Sequence, residues 1–303
     1  MILNWKKKLT LALATHTCFS NAAPLKEAHY GLTVAGLYGL SFTPYAPNGA
    51  CMSQDEVTKN LQHIKKMGFK SVRVYSTDCN SLEHIGSACK ELDMEMIVGV
   101  YIDSSGISGA QEQVQAISRW AQWSMVKLIV VGNEAISSGY SSATELASFI
   151  SSARQTFRAT GYSGNVTTSE HIAIWQQYGV STLCSHVDIV GANIHPFFNP
   201  QTTPAQAGMF ARSEYNDLES ICNKPVLNLE TGWPNAGDAN GLAVPGFDEQ
   251  KIAIVTIAKA IGPSSVFFSY SDDPWKNPGP FNVEQHWGCR SVFPPGHASL
   301  MGS

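Results

Sequence analysis

Short apolar runs recur along the whole chain and are separated by segments with helical spacing. The runs are nearly continuous rather than alternating, which is typical of parallel strands buried on both faces. We therefore predict a parallel sheet whose two faces are covered. The predicted strands are Leu32–Leu40, Ser71–Ser76, Met94–Ile102, Lys127–Gly132, Asn165–Thr168, Val187–Ile194, Pro225–Leu229 and Ser265–Tyr270.

Helix signals lie between most of these runs. Ser53 with Glu56, and Ser142 with Glu145, form capping boxes ahead of apolar residues at helical spacing. Other predicted helices begin at Thr203 with Pro204 and Gln206, run from an Asp248 cap to Gly262, and cover Asn80–Leu92, Ala110–Trp123 and His171–Gly179.

Eight strands that alternate with helices predict an α/β protein, a (β/α)8 TIM barrel formed by a single domain over residues 23–303. The competing fold is a doubly wound open sheet. Such a sheet usually has a glycine-rich loop after an early strand, whereas residues 41–45 here are Ser-Phe-Thr-Pro-Tyr. After Asp273 the chain is rich in proline, glycine and aromatic residues, so we expect the barrel to close irregularly there.

The N-terminus has the features of a secretory signal. Lys6, Lys7 and Lys8 precede a short apolar stretch, and Ser20-Asn21-Ala22 offers small residues for cleavage. We predict a signal peptide over residues 1–22 and a secreted or cell-wall protein. Loss of three lysines and no acidic residues takes the formal charge from −4 to −7. This charge argues against a nucleic-acid partner, and the apolar stretch is too short to span a membrane.

Six cysteines follow the predicted signal, and an even number in an exported chain favours disulfides. Six cysteines allow about fifteen pairings, and the sequence does not choose among them. The chain contains no Cys-x-x-Cys pair and no ligand-spaced histidines, so we expect neither a metal nor another cofactor. A monomer is expected.

Carboxylates dominate the polar residues that follow the predicted strands, which is where the active residues of such barrels lie. Glu134 follows the apolar run 128–131, and Glu230 follows the run 226–229. These two strands stand on opposite sides of an eight-stranded ring, so the two glutamates can face each other. Most glycosidases cleave their substrate with a pair of carboxylic acids and without a metal. No Gly-x-Ser-x-Gly elbow is present to suggest a serine hydrolase.

Aromatic and polar residues near the strand ends suit a sugar, whose rings have apolar faces and polar edges. Tyr45, Phe197 and Trp275 belong to this aromatic group. For His195 two roles remain open, as an orienting partner or as a core residue. The predicted substrate-binding residues are Tyr38, Tyr75, Asp103, Asn133, Glu170, His195, Phe198 and Trp233.

At these residues the chain resembles glycoside hydrolase family 17, and it looks most like the fungal cell-wall branch. The matching segments are residues 72–79 (VRVYSTDC), 131–134 (VGNE), 193–198 (NIHPFF), 230–234 (ETGWP) and 273–276 (DPWK). The resemblance implies a (β/α)8 barrel, retention of anomeric configuration, Glu134 as general acid/base and Glu230 as nucleophile. It also implies β-1,3-glucan or laminari-oligosaccharides as substrates.

The chain departs from the family pattern on the last strand. Family members often have a glutamate there, and Ser269 stands at about that position. We expect a β-1,3-glucanosyltransferase with some hydrolysis. The alternatives are an endo-β-1,3-glucanase, a glucan-binding wall protein without activity, and an unrelated barrel enzyme for a phosphorylated metabolite. The last alternative would need a basic phosphate site after the final strands, which the sequence does not show.

Overall fold

Eight parallel strands form a closed barrel in the computed structural model, which describes residues 38–294. Each strand pairs with its neighbours in sequence order, and β1 closes the ring by pairing with β8. The predicted (β/α)8 barrel is therefore confirmed. The strands are β1 (Gly39–Ser41), β2 (Ser71–Val74), β3 (Glu95–Val100), β4 (Val126–Asn133), β5 (Asn165–Glu170), β6 (Val190–Asn193), β7 (Val226–Thr231) and β8 (Ser265–Phe267).

The helices surround the ring and cover the outward face of the strands. Both predicted capping boxes form, at Ser53 and at Ser142. Asp248 does not cap its helix as predicted, because Gly246 is the N-cap and the helix begins at Phe247, two residues earlier than an Asp248 cap would place it. The helices are α1 (Gln54–Lys66), α2 (Ser81–Leu92), α3 (Gly106–Trp120), α4 (Ala143–Ala159), α5 (Ile172–Tyr178), α6 (Ala207–Cys222) and α7 (Phe247–Ile261).

No α-helix follows β8 within the described residues. Residues 268–294 form loops with two short 3₁₀ turns, Pro280–Asn282 and Arg290–Val292. This segment carries the proline-rich sequence for which irregular closure was expected. It returns to the carboxyl end of the barrel, since the backbone N–H of Asn235 donates to His286 O at 2.8 Å.

Alternation along the strands separates two apolar regions. Ile97, Leu128 and Leu229 belong to a small cluster that fills the barrel interior. Their strand neighbours, such as Val98 and Ile129, join the larger core beneath the helices. Both faces of the sheet are thus buried, which explains why the strands appear in the sequence as continuous apolar runs.

Four of the six cysteines form disulfides, Cys51–Cys79 and Cys184–Cys222. Cys89 and Cys289 are buried free thiols, so the expectation of disulfides holds for two pairs only. The first disulfide joins the loop after β1 to the loop after β2. The predicted signal, residues 1–22, lies outside the described part of the chain. Among residues 38–294 we find no helix with the length and apolar character needed to cross a membrane.

Candidate active site

Glu230 lies near the end of β7 and is almost fully buried, with 6% of its surface exposed. Arg73 Nη1 donates to Glu230 Oε1 at 2.9 Å. His195 Nε2 lies 3.2 Å from Glu230 Oε2, and since an ionised carboxylate only accepts, Nε2 carries the proton. Burial by itself raises the pKa of Glu230. The hydrogen bond from His195 and the charge of Arg73 outweigh burial and lower that pKa to about 2, so the carboxylate stays ionised.

Glu134 lies on the opposite side of the ring, directly after β4. Its backbone has φ of 51°, in the left-handed region that non-glycine residues seldom adopt. Such local conformations cluster at functional sites. Gly132 precedes it with φ of 84°, and a Cβ there would lie 3.1 Å from Leu146 and 3.3 Å from Ile102. The tight turn therefore requires a glycine, and it directs Glu134 towards the barrel mouth.

A chain of polar side chains connects the two glutamates. Arg73, which donates to Glu230, also donates through Nη2 to Asn133 Oδ1 at 2.7 Å. Asn193 Nδ2 donates to the same Asn133 oxygen at 3.2 Å and to Glu134 Oε1 at 2.8 Å. The Asn133 amide nitrogen makes no hydrogen bond to any described residue, so it is available to a ligand. The network fixes both carboxylates relative to one rigid barrel.

Irregular pairing at the strand ends places these side chains. The register shifts between β4 and β5 before Asn133, and between β6 and β7 before Asn193. Register shifts of this kind change the direction of nearby side chains and are common beside active sites. The Ser169 hydroxyl donates to Asn193 Oδ1 at 2.6 Å, which orients the Asn193 amide with its nitrogen towards Glu134.

Glu170 holds the loop that follows Glu134. It is fully buried at the end of β5, and its Oε1 accepts from the backbone N–H of Ile136 at 2.8 Å. Its other oxygen has no partner among the described residues. Burial is the main cause that raises the pKa of Glu170 to about 7. Glu170 lines neither cleft, so its predicted role in substrate binding becomes a role in holding the loop that follows Glu134.

Two clefts meet at Glu134. The first cleft has a volume of about 440 Å³ and contains both Glu134 and Glu230. The second cleft, of about 530 Å³, contains Glu134 but not Glu230. Residues lining the first are Thr43, Tyr45, Tyr75, Ser76, Tyr101, Asn133, Glu134, Glu230, Phe268, Trp275, Lys276 and Glu284. Residues lining the second are Glu134, His171, Ile172, Asn193, His195, Phe198, Asn199, Pro200, Phe210 and Glu214.

Four predicted substrate-binding residues reach these clefts. Tyr75 and Asn133 line the first cleft, and His195 and Phe198 line the second. The Tyr75 ring lies under Arg73, with the guanidinium carbon 4.6 Å from the ring centre. The Tyr75 hydroxyl is buried beside Glu230 and Ser41, although neither lies at ordinary hydrogen-bond geometry to it. Burial and the charge of Glu230 raise the Tyr75 pKa well above its usual value, so the hydroxyl keeps its proton as a donor.

Three predicted substrate-binding residues lie elsewhere. Tyr38 precedes β1, and its carbonyl accepts from Ser71 Oγ at the start of β2, so it lies at the amino end of the barrel. Asp103 is exposed and accepts from the Ser105 backbone and hydroxyl at 2.8 and 2.5 Å, outside both clefts. Trp233 is fully buried and donates to Val244 O at 2.9 Å. The expectations for Tyr38 and Trp233 are therefore corrected, and the role of the exposed Asp103 stays a prediction.

Of the other predicted aromatic residues, some line a cleft and others are buried in the core. Phe197 is fully buried and packs edge-on against Trp233, with ring centres 5.4 Å apart. Trp275 and Tyr45 line the first cleft, and their rings pack edge-on with centres 4.9 Å apart. The Tyr45 hydroxyl donates to Asp78, which anchors the ring beside the Cys51–Cys79 disulfide.

Several site residues were not assigned a role from the sequence. Arg73 was visible as a charge inside a predicted strand, and Asn193 as a polar residue at a strand end. Glu284 and Lys276 come from the irregular segment after β8, where no periodic pattern indicates direction. Ser269 lines neither cleft, and its hydroxyl donates to Ser271 O at 2.7 Å. Of the carboxylates on this segment, Glu284 is the one that lines the first cleft.

The chain matches the family model described as the BtgE/BtgC glycoside hydrolase domain over residues 39–288. The chain belongs to this family. The family resemblance seen in the sequence motifs is thereby confirmed. A similar protein is the probable beta-glucosidase btgE of Aspergillus flavus, 58% identical over 255 residues, which are 84% of this chain and 42% of that protein. The btgE protein of Emericella nidulans is 49% identical over 261 residues, 84% of this chain and 47% of that protein.

This BtgE/BtgC family member thus spans less than half the length of those curated relatives. Among solved structures it shares its fold with the family 17 β-1,3-glucanosyltransferase of Rhizomucor miehei. That pair has a TM-score of 0.74 at 21% identity, covering 87% of this chain and 97% of that chain. An endo-laminarinase from Formosa gives a TM-score of 0.71 at 19% identity, covering 86% of this chain and 84% of that chain.

Proposed function

We propose that this glycoside hydrolase domain cleaves β-1,3-glucan with retention and transfers part of the product to another glucan chain. The observation that carries the proposal is the pair of clefts, which meet at Glu134 while Glu230 faces only the first. A glycosyl group attached to Glu230 must lie in the first cleft. A leaving group protonated by Glu134 then lies in the second.

The environments of the two glutamates support separate roles. Glu230 is held ionised by Arg73 and His195, as a nucleophile requires. Glu134 bonds to the neutral Asn193 amide and makes no ion pair among the described residues. In the first step the Glu230 carboxylate attacks the anomeric carbon while Glu134 protonates the departing oxygen. In the second step the incoming hydroxyl attacks the anomeric carbon while Glu134 removes its proton, and the bond to Glu230 breaks.

The second cleft favours transfer as well as hydrolysis. Water reaches the covalent intermediate from bulk at ~55 M, so a sugar acceptor competes only if the enzyme binds and orients it. Phe198 lines the second cleft with 43% of its surface exposed and can pack against a sugar ring. The choice of β-1,3-glucan follows the names of the structural neighbours, one of which was solved with laminaritriose. The two disulfides support an extracellular site of action.

The names of the btgE relatives favour a second candidate, a β-glucosidase that releases single glucose units. Laminari-oligosaccharides of defined length distinguish the two. Transfer at millimolar substrate gives products longer than the starting sugar, whereas a glucosidase gives glucose and the sugar shortened by one unit. Products that are all shorter than the substrate would contradict the transferase proposal. A Glu230→Gln variant is the matched inactive control.

A further inference from the structure

Glu214 is a carboxylate in the second cleft that the chemistry described above does not use. It lies on α6 and reaches the same cleft as Glu134 and His195. Its carboxyl accepts no hydrogen bond and forms no ion pair within residues 38–294. By contrast, the helix carboxylates of Glu56 and Glu145 accept hydrogen bonds in capping boxes. Glu214 therefore has spare acceptor capacity at a site shaped to hold a ligand.

Within residues 38–294 no lysine or arginine pairs with Glu214. Asp217 lies one turn further along α6 and adds a second negative charge, while His195 across the cleft partly offsets it. His171 and Glu134 are the remaining titratable groups that line the cleft. Burial, and after it the charge of Asp217, raises the Glu214 pKa to about 7. A partly desolvated carboxyl without a partner is unfavourable in the free protein, and a ligand that donates hydrogen bonds relieves that cost.

A sugar unit in the second cleft has donors of this kind. Its hydroxyls donate to carboxyl oxygens, and its apolar face suits the exposed ring of Phe198 on the same cleft. We propose that Glu214 binds a hydroxyl of the sugar in the second cleft, which is the leaving group during cleavage and the acceptor during transfer. Glu214 then determines acceptor specificity from α6 without touching the reacting atoms. This inference rests on the proposed function.

The test compares two donors with the same glycosyl group. One is a laminari-oligosaccharide, whose leaving group is a sugar, and the other is a 4-nitrophenyl β-laminarioside, whose leaving group has no hydroxyl donor. Because kcat/KM reports the first irreversible step, it isolates binding of the leaving group. Glu214→Ala should lower kcat/KM for the oligosaccharide about tenfold and leave the nitrophenyl donor within about twofold. Glu214→Gln, which still accepts a hydrogen bond, should recover most of the loss.

A second readout follows the covalent intermediate. With the nitrophenyl donor and added laminaribiose, Glu214→Ala should lower the ratio of transfer to hydrolysis by about the same factor. Glu219→Ala, an exposed change on the same helix, is the control. Equal losses for both donors would indicate a structural role, and no loss for either would show that Glu214 does not contact sugar; each result overturns the inference. Failure of the wild type to cleave either donor would instead overturn the proposed function.

Discussion

Replacing His195 with alanine tests whether the network around Glu230 sets the ionisation of this proposed nucleophile. The wild-type pKa of Glu230 is about 2 against an ordinary value of 4.5. A difference of about 2.5 corresponds to roughly 3 kcal/mol favouring the ionised form. Burial opposes this, and the His195 hydrogen bond is the largest of the contributions that favour it, ahead of the charge of Arg73. Removing His195 should therefore raise the pKa by roughly 1 to 1.5, since Arg73 remains.

The sign of the effect follows from the direction of the pKa change. Protonated Glu230 cannot attack, so a higher pKa moves the acid limb of activity to higher pH. An aryl glycoside with a good leaving group needs little help from Glu134, so its kcat/KM below about pH 6 reports Glu230. The acid limb of His195→Ala should lie roughly 1 to 1.5 pH units above that of the wild type.

His195→Gln provides the matched control, because its amide can still donate to Glu230 while carrying no charge. Its acid limb should fall between those of the wild type and the alanine variant. Circular dichroism at each pH separates loss of ionisation from acid unfolding. If the acid limbs of His195→Ala and the wild type coincide, His195 does not control Glu230 and the reasoning fails.

Two further predictions concern stability. The pKa of Glu170 is raised to about 7, so between about pH 4.5 and 7 the folded state binds more protons than the unfolded state. The free energy of unfolding of the wild type should therefore fall by up to ~3 kcal/mol as pH rises through that window. Urea unfolding of Glu170→Gln at pH 5 and 8 should no longer show this loss of stability. A pH dependence equal to that of the wild type would contradict the raised pKa of Glu170. The Cys51–Cys79 disulfide closes 28 residues, so its removal should cost roughly 3–4 kcal/mol and also raise KM, because it anchors the wall of the first cleft. Removing Cys184–Cys222, at the other end of the barrel, should cost a similar amount and leave KM unchanged, and equal KM values in the two variants would show that the first disulfide does not support the cleft.

The barrel and its two glutamates were accessible from the sequence because buried parallel strands leave apolar runs. The residue that ends such a run is directed towards the barrel mouth, which placed Glu134 and Glu230 correctly at the ends of β4 and β7. The catalytic roles assigned to them remain predictions. Arg73 and Asn193 are polar residues of strands, and their partners become visible only when strands distant in sequence are brought together.

The aromatic assignments failed where loop geometry decides direction. Trp233 and Phe197 follow strands, as do Phe198 and Trp275, but the first two turn inwards and pack against each other. Nothing in their spacing distinguishes the two outcomes. Tyr38 was misplaced because the predicted first strand, Leu32–Leu40, put it near the strand's end, whereas β1 is Gly39–Ser41 and Tyr38 precedes it. Trp275 also contacts the cleft from an irregular segment with no periodicity.

Trapping the covalent intermediate is the most direct test of the central claim. In a 2-deoxy-2-fluoro laminaribiosyl donor, fluorine slows both steps because it disfavours both oxocarbenium-like transition states. A good leaving group restores the rate of the first step only, so the glycosyl-enzyme accumulates. Mass spectrometry of the digested adduct should find the sugar on the peptide that contains Glu230. An adduct on Glu134, or rapid turnover without any adduct and with inversion of the anomeric centre, would contradict the account.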